Sequence, residues 1–453
     1  MSSLQGYIEE FNKSVKNHDA KSLRQLTTIN PGDIAQIRKN FELPTEFDLY
    51  STPEKFKSVI ISYLNVLKSI YIKQSLSLSF ENLNEMCNQL IRTGESQDNW
   101  IMPVIISSCE ELILIYKVKQ SREPENLDSY LDDTTDDGFI NGGNNNVKKS
   151  SLEELIFTFR KGFNLTFNDK NLDNKSSKRN DVYFFASNFV KYCFKMGKLA
   201  LAKSIMKAIK TVKQQLPKMS QSINTRKHGI TFLYFQSLIA LDDGDYNASE
   251  TSLDEAMDLL QDYKIKDSIQ LQQILIILVP LKLFNKGKLP NKIIWTKFKK
   301  LKYLYEDNFL KAIKEGNLKK YDECMEKFEN FLLKRHLYII MELLRQFTQL
   351  NLFKKITFVI NDTNNKSIQL NAYQIGFEFS MNYDQKNNYK INSSNSSSRI
   401  LNKIDILEIE NIIANLITNG FIRGFLSNSS NVVVLSKSNP FPKIYNVKLD
   451  RKF

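Results

Sequence analysis

From Val182 to Leu333 the chain repeats one short unit: an apolar helix, a tight turn holding a glycine, then a second amphipathic helix. The turns are Met196-Gly197-Lys198-Leu199, Asp243-Gly244-Asp245-Tyr246 and Glu315-Gly316-Asn317-Leu318, with Lys286-Gly287-Lys288-Leu289 as a looser fourth. A glycine at such a point takes the left-handed backbone that ends one helix, and good helix formers begin the next at once. Helical hairpins stacked in this way, at unequal intervals between turns, predict a TPR-like helical repeat solenoid in place of a regular array.

The flanking sequence extends this pattern and then breaks it. Residues 1–118 read as an N-terminal helical region, with Val59, Ile60, Tyr63, Leu64, Leu67 and Ile70 at steps of three and four. Residues 119–150 turn acidic, then rich in amides and glycine, a composition that buries too little surface to order itself; a disordered loop is expected there. Residues 151–350 form the helical repeat, interrupted by a polar stretch from Asn168 to Asp181 of the same character. Across 351–442 the spacing predicts helices at Leu352–Ile360, Ala372–Met381 and Ile404–Thr418, with a disordered Ser/Asn insertion at 384–400. Gly420 stops the last helix, and two short β runs follow around a turn of Asn and Ser. Three helices and a hairpin predict a winged helix, followed by a basic tail at 443–453. The fold class is therefore all-α, a helical repeat ending in a winged helix.

Catalytic chemistry finds little support. The 453 residues include three isolated histidines, His18, His228 and His336, and lack any HExxH, GxGxxG, GxxxxGK[ST] or GxSxG motif, so no enzyme and no cofactor is expected. Cys87, Cys109, Cys193 and Cys324 have no CxxC spacing and read as reduced, buried thiols. Asp242, Asp243 and Asp245 form the tightest acidic cluster in a structured region. Their place in a turn before a helix favours capping of free amides over metal binding. The N-terminal residues carry acids and amides where a secretory signal needs an apolar run, and Ile274–Phe284 is too short to cross a bilayer, so no membrane role is expected.

Charge is more informative. Lys and Arg outnumber Asp and Glu by 63 to 50, which favours acidic proteins or phosphate backbones as partners. Between Lys286 and Lys302 the run KGKLPNKIIWTKFKKLK holds Lys292, Lys297, Lys299, Lys300 and Lys302 with no acid, and Trp295 and Phe298 between them. It reads as a phosphate-binding face or, equally, as a solvated helix face with its aromatics in the core. A second basic group comprises Arg423, Lys437 and Lys443, followed by Lys448, Arg451 and Lys452. Lys203, Lys207 and Lys210 align on one helix face, which suits an acidic peptide, although a plain solvated face explains the same spacing.

Several stretches resemble the PCI-domain family. They are Lys178 to Phe184, Ala200 to Ile209, Leu278 to Leu283, Ala312 to Leu318, Asn351 to Lys355, Asn411 to Gly424 and, most distinctively, Ser436-Lys437-Ser438-Asn439-Pro440-Phe441-Pro442. Within that family they are most similar to the subfamily of the signalosome-associated subunit twelve of yeasts and the PCI subunit of the TREX-type mRNA-export complex. The resemblance implies a non-catalytic scaffold that pairs with a second PCI-domain protein and is braced by a small acidic DSS/Sem-type protein. It further implies a joint basic surface for RNA or DNA, in mRNA export, transcription or splicing, in the nucleus and cytoplasm. A structural adaptor of a COP-nine-signalosome-like complex without nucleic-acid binding is the alternative.

Overall fold

Helix starts in this chain follow side-chain oxygens. Asp19 accepts the amides of Lys21 and Ser22, Ser268 Oγ that of Leu271, and Asn317 Oδ1 that of Lys320. Ser150 and Glu153 cap each other reciprocally at the start of helix Ser151–Phe167. Such caps satisfy amides that the helix itself leaves without acceptors. The computed structural model describes residues 3–123, 150–171, 176–212, 216–261, 268–360, 367–382, 404–427 and 429–444. The insertion expected at 384–400, nearly all of the 119–150 loop, and Lys448, Arg451 and Lys452 lie outside the described residues.

The chain divides into two units, Met1–Gln236 and Ser237–Phe453. The first is helical among its described residues, with long elements at Glu54–Tyr71, Leu76–Gly94, Met102–Arg122, Ser151–Phe167 and Val182–Met196. Tyr63, Leu83, Leu112, Phe159 and Phe185 are buried on their inward faces. On helix Met102–Arg122 the Glu111 carboxylate accepts from Thr28 Oγ1 at 2.6 Å, and burial raises its pKa. One expectation needs correction here. The polar stretch from Asn168 to Asp181 is ordered where described, because Asp169 accepts both the Lys178 amide and the Ser177 hydroxyl and so nucleates the 3-10 turn Lys178–Asp181. Short polar side chains bonding to nearby backbone replace the missing apolar surface.

In the second unit helices Tyr246–Gln261 and Ile269–Lys286 pack together around Glu250. That buried carboxylate takes Lys286 Nζ at 2.6 Å and Asn285 Nδ2 at 2.8 Å. Pro280 lies inside helix Ile269–Lys286 and has no amide to give the carbonyl four residues back. The buried Tyr305 hydroxyl donates to that carbonyl, Ile276 O, in its place. Helices Leu318–Lys334 and Tyr338–Ile360 follow, so the element expected from Leu352 begins fourteen residues earlier, at Tyr338. Then come strand β1 (Ser367–Gln369), helices Leu370–Asn382 and Ile406–Thr418, and strands β2 (Gly424–Ser427) and β3 (Val432–Leu435). The sheet is antiparallel in the order β1-β3-β2, with Val434 opposite both Ser367 and Phe425. Sequence reading found the β2–β3 hairpin but missed β1, whose three residues are too few to show alternation.

The Pro280–Tyr305 arrangement is testable. Tyr305→Phe should destabilise the protein by about 1–3 kcal/mol, the cost of a buried carbonyl left without a donor. Adding Pro280→Ala should restore an amide donor and recover part of that loss in chemical denaturation; a double variant no more stable than Tyr305→Phe would refute the substitution of one donor for the other.

Candidate nucleic-acid and partner interface

The turn Glu315-Gly316-Asn317-Leu318 is held from several sides. Gly316 has φ +62°, and a Cβ there would stand 2.9 Å from the backbone of Leu352, so only glycine fits. Asn351 Nδ2 donates to Ile313 O at 2.8 Å and Lys355 Nζ to Glu315 O at 2.9 Å. From helix Leu370–Asn382 the buried Ser380 hydroxyl donates to Gly316 O at 2.8 Å and accepts the Leu318 amide at 3.0 Å. Two stretches that the sequence singled out separately, Ala312 to Leu318 and Asn351 to Lys355, thus form one joint.

The distinctive ending has a structural role. Arg423 donates its amide to Pro440 O and accepts the Ser436 amide, both at 2.8 Å, which brings Arg423 and Lys437 to the same end of the sheet. Phe441 packs against Phe353 and Phe358 with ring centroids 6.1 and 6.3 Å apart, and Lys354, its pKa lowered by burial, stands over the Phe441 ring. A Cβ on Gly287 would meet Ile444 at 2.8 Å, so the segment bearing Lys443 returns to the start of the basic run beside Lys288. Arg423, Lys437 and Lys443 are all exposed.

The basic run itself is broken into helix Lys292–Lys297, helix Lys299–Leu301 and a π-helical stretch Lys302–Leu310. Lys292, Lys297, Lys299, Lys300 and Lys302 are exposed, while Trp295 and Phe298 are 5% and 7% exposed and belong to the core. The aromatic that accompanies the lysines at the surface is instead Tyr303, half exposed, with Lys327 Nζ 4.8 Å from its ring centre. Lys203, Lys207 and Lys210 are exposed on helix Leu199–Thr211 of the first unit.

Sequence reading missed an apolar groove of ≈ 620 Å³. Val359, Ile375 and Phe379 line it, and these side chains and the neighbouring Phe358 are 62–79% exposed. Exposed apolar patches of this kind mark interaction sites more often than chance placement does. They escaped notice because helix periodicity shows only that a residue is apolar, not that its face lacks a neighbour.

Asp242, Asp245 and the three histidines each make contacts within the protein. Asp245 accepts the Ala248 amide at 3.0 Å at the start of helix Tyr246–Gln261, and Asp242 meets His336 Nδ1 at 2.8 Å. His18 stacks on Trp100, and His228 meets the edge of Phe184. His228 also shares a cavity of ≈ 280 Å³ with Asp181, Arg24, Glu110 and Lys227. Burial pushes Asp181 up to about 6 and His228 down to about 4, Lys227 adding to the latter. All four cysteines are buried free thiols.

No protein-family profile matches the chain. It is 42% identical over 448 residues to a CSN12 homolog of Debaryomyces hansenii, covering 97% of this chain and 98% of the relative. It is 25% identical to PCI domain-containing protein 2 of Xenopus laevis, over 98% of this chain and 99% of that protein. A PCI domain-containing protein 2 homolog of Dictyostelium discoideum is 28% identical over 306 residues, covering 67% of this chain and 63% of the relative.

The two shifted groups have opposite effects on stability. Asp181 contributes stability that is present below its usual pKa and lost as pH rises through about 6. His228 contributes stability that is present above its usual pKa and lost as pH falls through about 4. Between these limits the two slopes oppose each other. Melting of Asp181→Asn should therefore weaken more steeply than wild type on acidification from pH 6.5 to 4, and that of His228→Gln less steeply. Parallel pH profiles for all three proteins would refute this assignment.

Proposed function

The chain belongs to the PCI-domain family of the CSN12 homologues and PCI domain-containing protein 2, and on that premise we propose that it is a non-catalytic scaffold subunit. It pairs with a second PCI-domain protein, is braced by a small acidic DSS/Sem-type protein, and offers RNA or DNA a basic surface in mRNA export, transcription or splicing. The order helix Tyr338–Ile360, β1, helix Leu370–Asn382, helix Ile406–Thr418, β2, β3, with its β1-β3-β2 sheet, supports reading this end as a winged helix whose wing is the β2–β3 turn. The preceding helical hairpins, ended by Gly287 and Gly316 in the left-handed conformation, support the TPR-like reading of the repeat. The exposed groove carrying Val359, Ile375 and Phe379 suits the partner PCI protein, and the Lys203, Lys207 and Lys210 face suits the acidic brace.

The observation that carries the nucleic-acid reading is the exposed cation set Arg423, Lys437 and Lys443 at the sheet, together with the lysines from Lys292 to Lys302. How it would bind follows from charge. On the winged-helix reading, helix Ile406–Thr418 is the recognition helix, yet it holds Glu408 and Glu410 and no Lys or Arg. Placed in a groove, it would bring carboxylates towards phosphates, so contact through the backbone is favoured over base reading by this helix.

Changing Lys297, Lys299, Lys300 and Arg423 together to Glu should weaken RNA binding of the assembled complex and flatten its salt dependence, since every phosphate left without its cation lowers the slope by nearly one unit. Unchanged affinity and slope would favour the adaptor of a COP-nine-signalosome-like complex without nucleic-acid binding.

A further inference from the structure

Lys178 opens the 3-10 turn Lys178–Asp181 and is only 7% exposed. Its ammonium reaches the carbonyl of Gly94, the last residue of helix Leu76–Gly94, at 2.8 Å, and among the described residues no carboxylate pairs with it. A buried cation held by a carbonyl alone is costly, because one dipole replaces a full hydration shell. Three more cations, Arg92, Lys161 and Lys170, line the same cavity of ≈ 660 Å³.

Among the described residues that line the cavity, two acids, Glu95 and Asp169, stand with four cations, and Asp169 accepts the Lys178 amide and the Ser177 hydroxyl. Asn164 and Asn168 contribute amide groups to the wall, and Lys161 donates to Asn88 Oδ1 at 2.9 Å. The volume lies within the range of small-molecule sites. Cations arranged along a stripe suit a nucleic-acid strand, whereas these four line one concavity.

We propose that this cavity, between helices Leu76–Gly94 and Ser151–Phe167 and the Lys178–Asp181 turn, binds a small molecule carrying two or more phosphate groups. Lys178 forms the buried contact, and the exposed Arg92 and Lys170 clamp the outer phosphate. Arg92 supplies the forked donors that match a phosphate's oxygens. The site is built from residues of the first unit and shares none with the nucleic-acid reading, so either proposal stands or falls alone.

The test is calorimetric titration of the full chain with sodium tripolyphosphate at low salt, repeated with citrate and with a short single-stranded RNA. Tripolyphosphate should bind and raise the melting temperature, and citrate should bind at least about tenfold more weakly. Arg92→Gln with Lys170→Gln, both at exposed positions, should weaken tripolyphosphate binding about tenfold or more while leaving the ligand-free melt unchanged. Lys178→Met should abolish tripolyphosphate binding. Absent tripolyphosphate binding, equal binding by wild type and the double variant, or citrate binding as tight as tripolyphosphate would overturn the proposal. RNA binding lost in the double variant without any tripolyphosphate binding would replace it with a nucleic-acid site.

Discussion

The close approach of Gly316 to the backbone of Leu352 sets the geometry of everything that follows it in the chain. A side chain at that position would meet main-chain atoms at 2.9 Å, and the left-handed turn would be strained as well. With glycine there, the helix ending at Glu315 delivers its last carbonyls to Asn351 and Lys355, and Ser380 closes the turn from the third side. Phe353, the residue after Leu352 in helix Tyr338–Ile360, stacks on Tyr373 at 4.2 Å and meets Phe441 on another side. The three-stranded sheet and its basic rim are therefore referenced to a single turn through short, directional contacts.

How much of this was legible in the sequence depends on whether the determining interaction was local. Helix termini were readable because caps and glycine turns act within four residues, as at Asn317 with Lys320 and at Gly287. The β2–β3 hairpin was readable for the same reason, since Val432 to Val434 is a β-branched run beside a turn. Strand β1 was not, because Ser367–Gln369 becomes a strand only by pairing with residues more than sixty positions away. Asn351, Lys355 and Ser380 carried no local mark of their role at a turn formed by other residues.

The site followed the same rule. One-signed charge identifies the lysines from Lys292 to Lys302 and the cluster around Arg423, but it does not reveal that Trp295 and Phe298 belong to the core while Tyr303 faces water. The same charge count passes over Lys178, whose significance comes from burial without a counter-ion. The groove beside Phe358 and Phe379 is apolar sequence left uncovered, a property of the assembled helices. Function of the kind proposed here resides in such surfaces: cations that remain solvated and apolar faces that remain unburied, set on a framework of paired helices.

Amide hydrogen exchange on the Ser380→Ala variant tests the joint most directly. If the turn at Gly316 positions the sheet, loss of this one hydroxyl should speed exchange at Leu318 and, together with it, at Val433 in β3 and Ile368 in β1, while helix Leu4–Lys16 keeps its wild-type protection. Faster exchange confined to Leu318, with both strands as protected as before, would show that the sheet holds its place without the turn and would contradict the account.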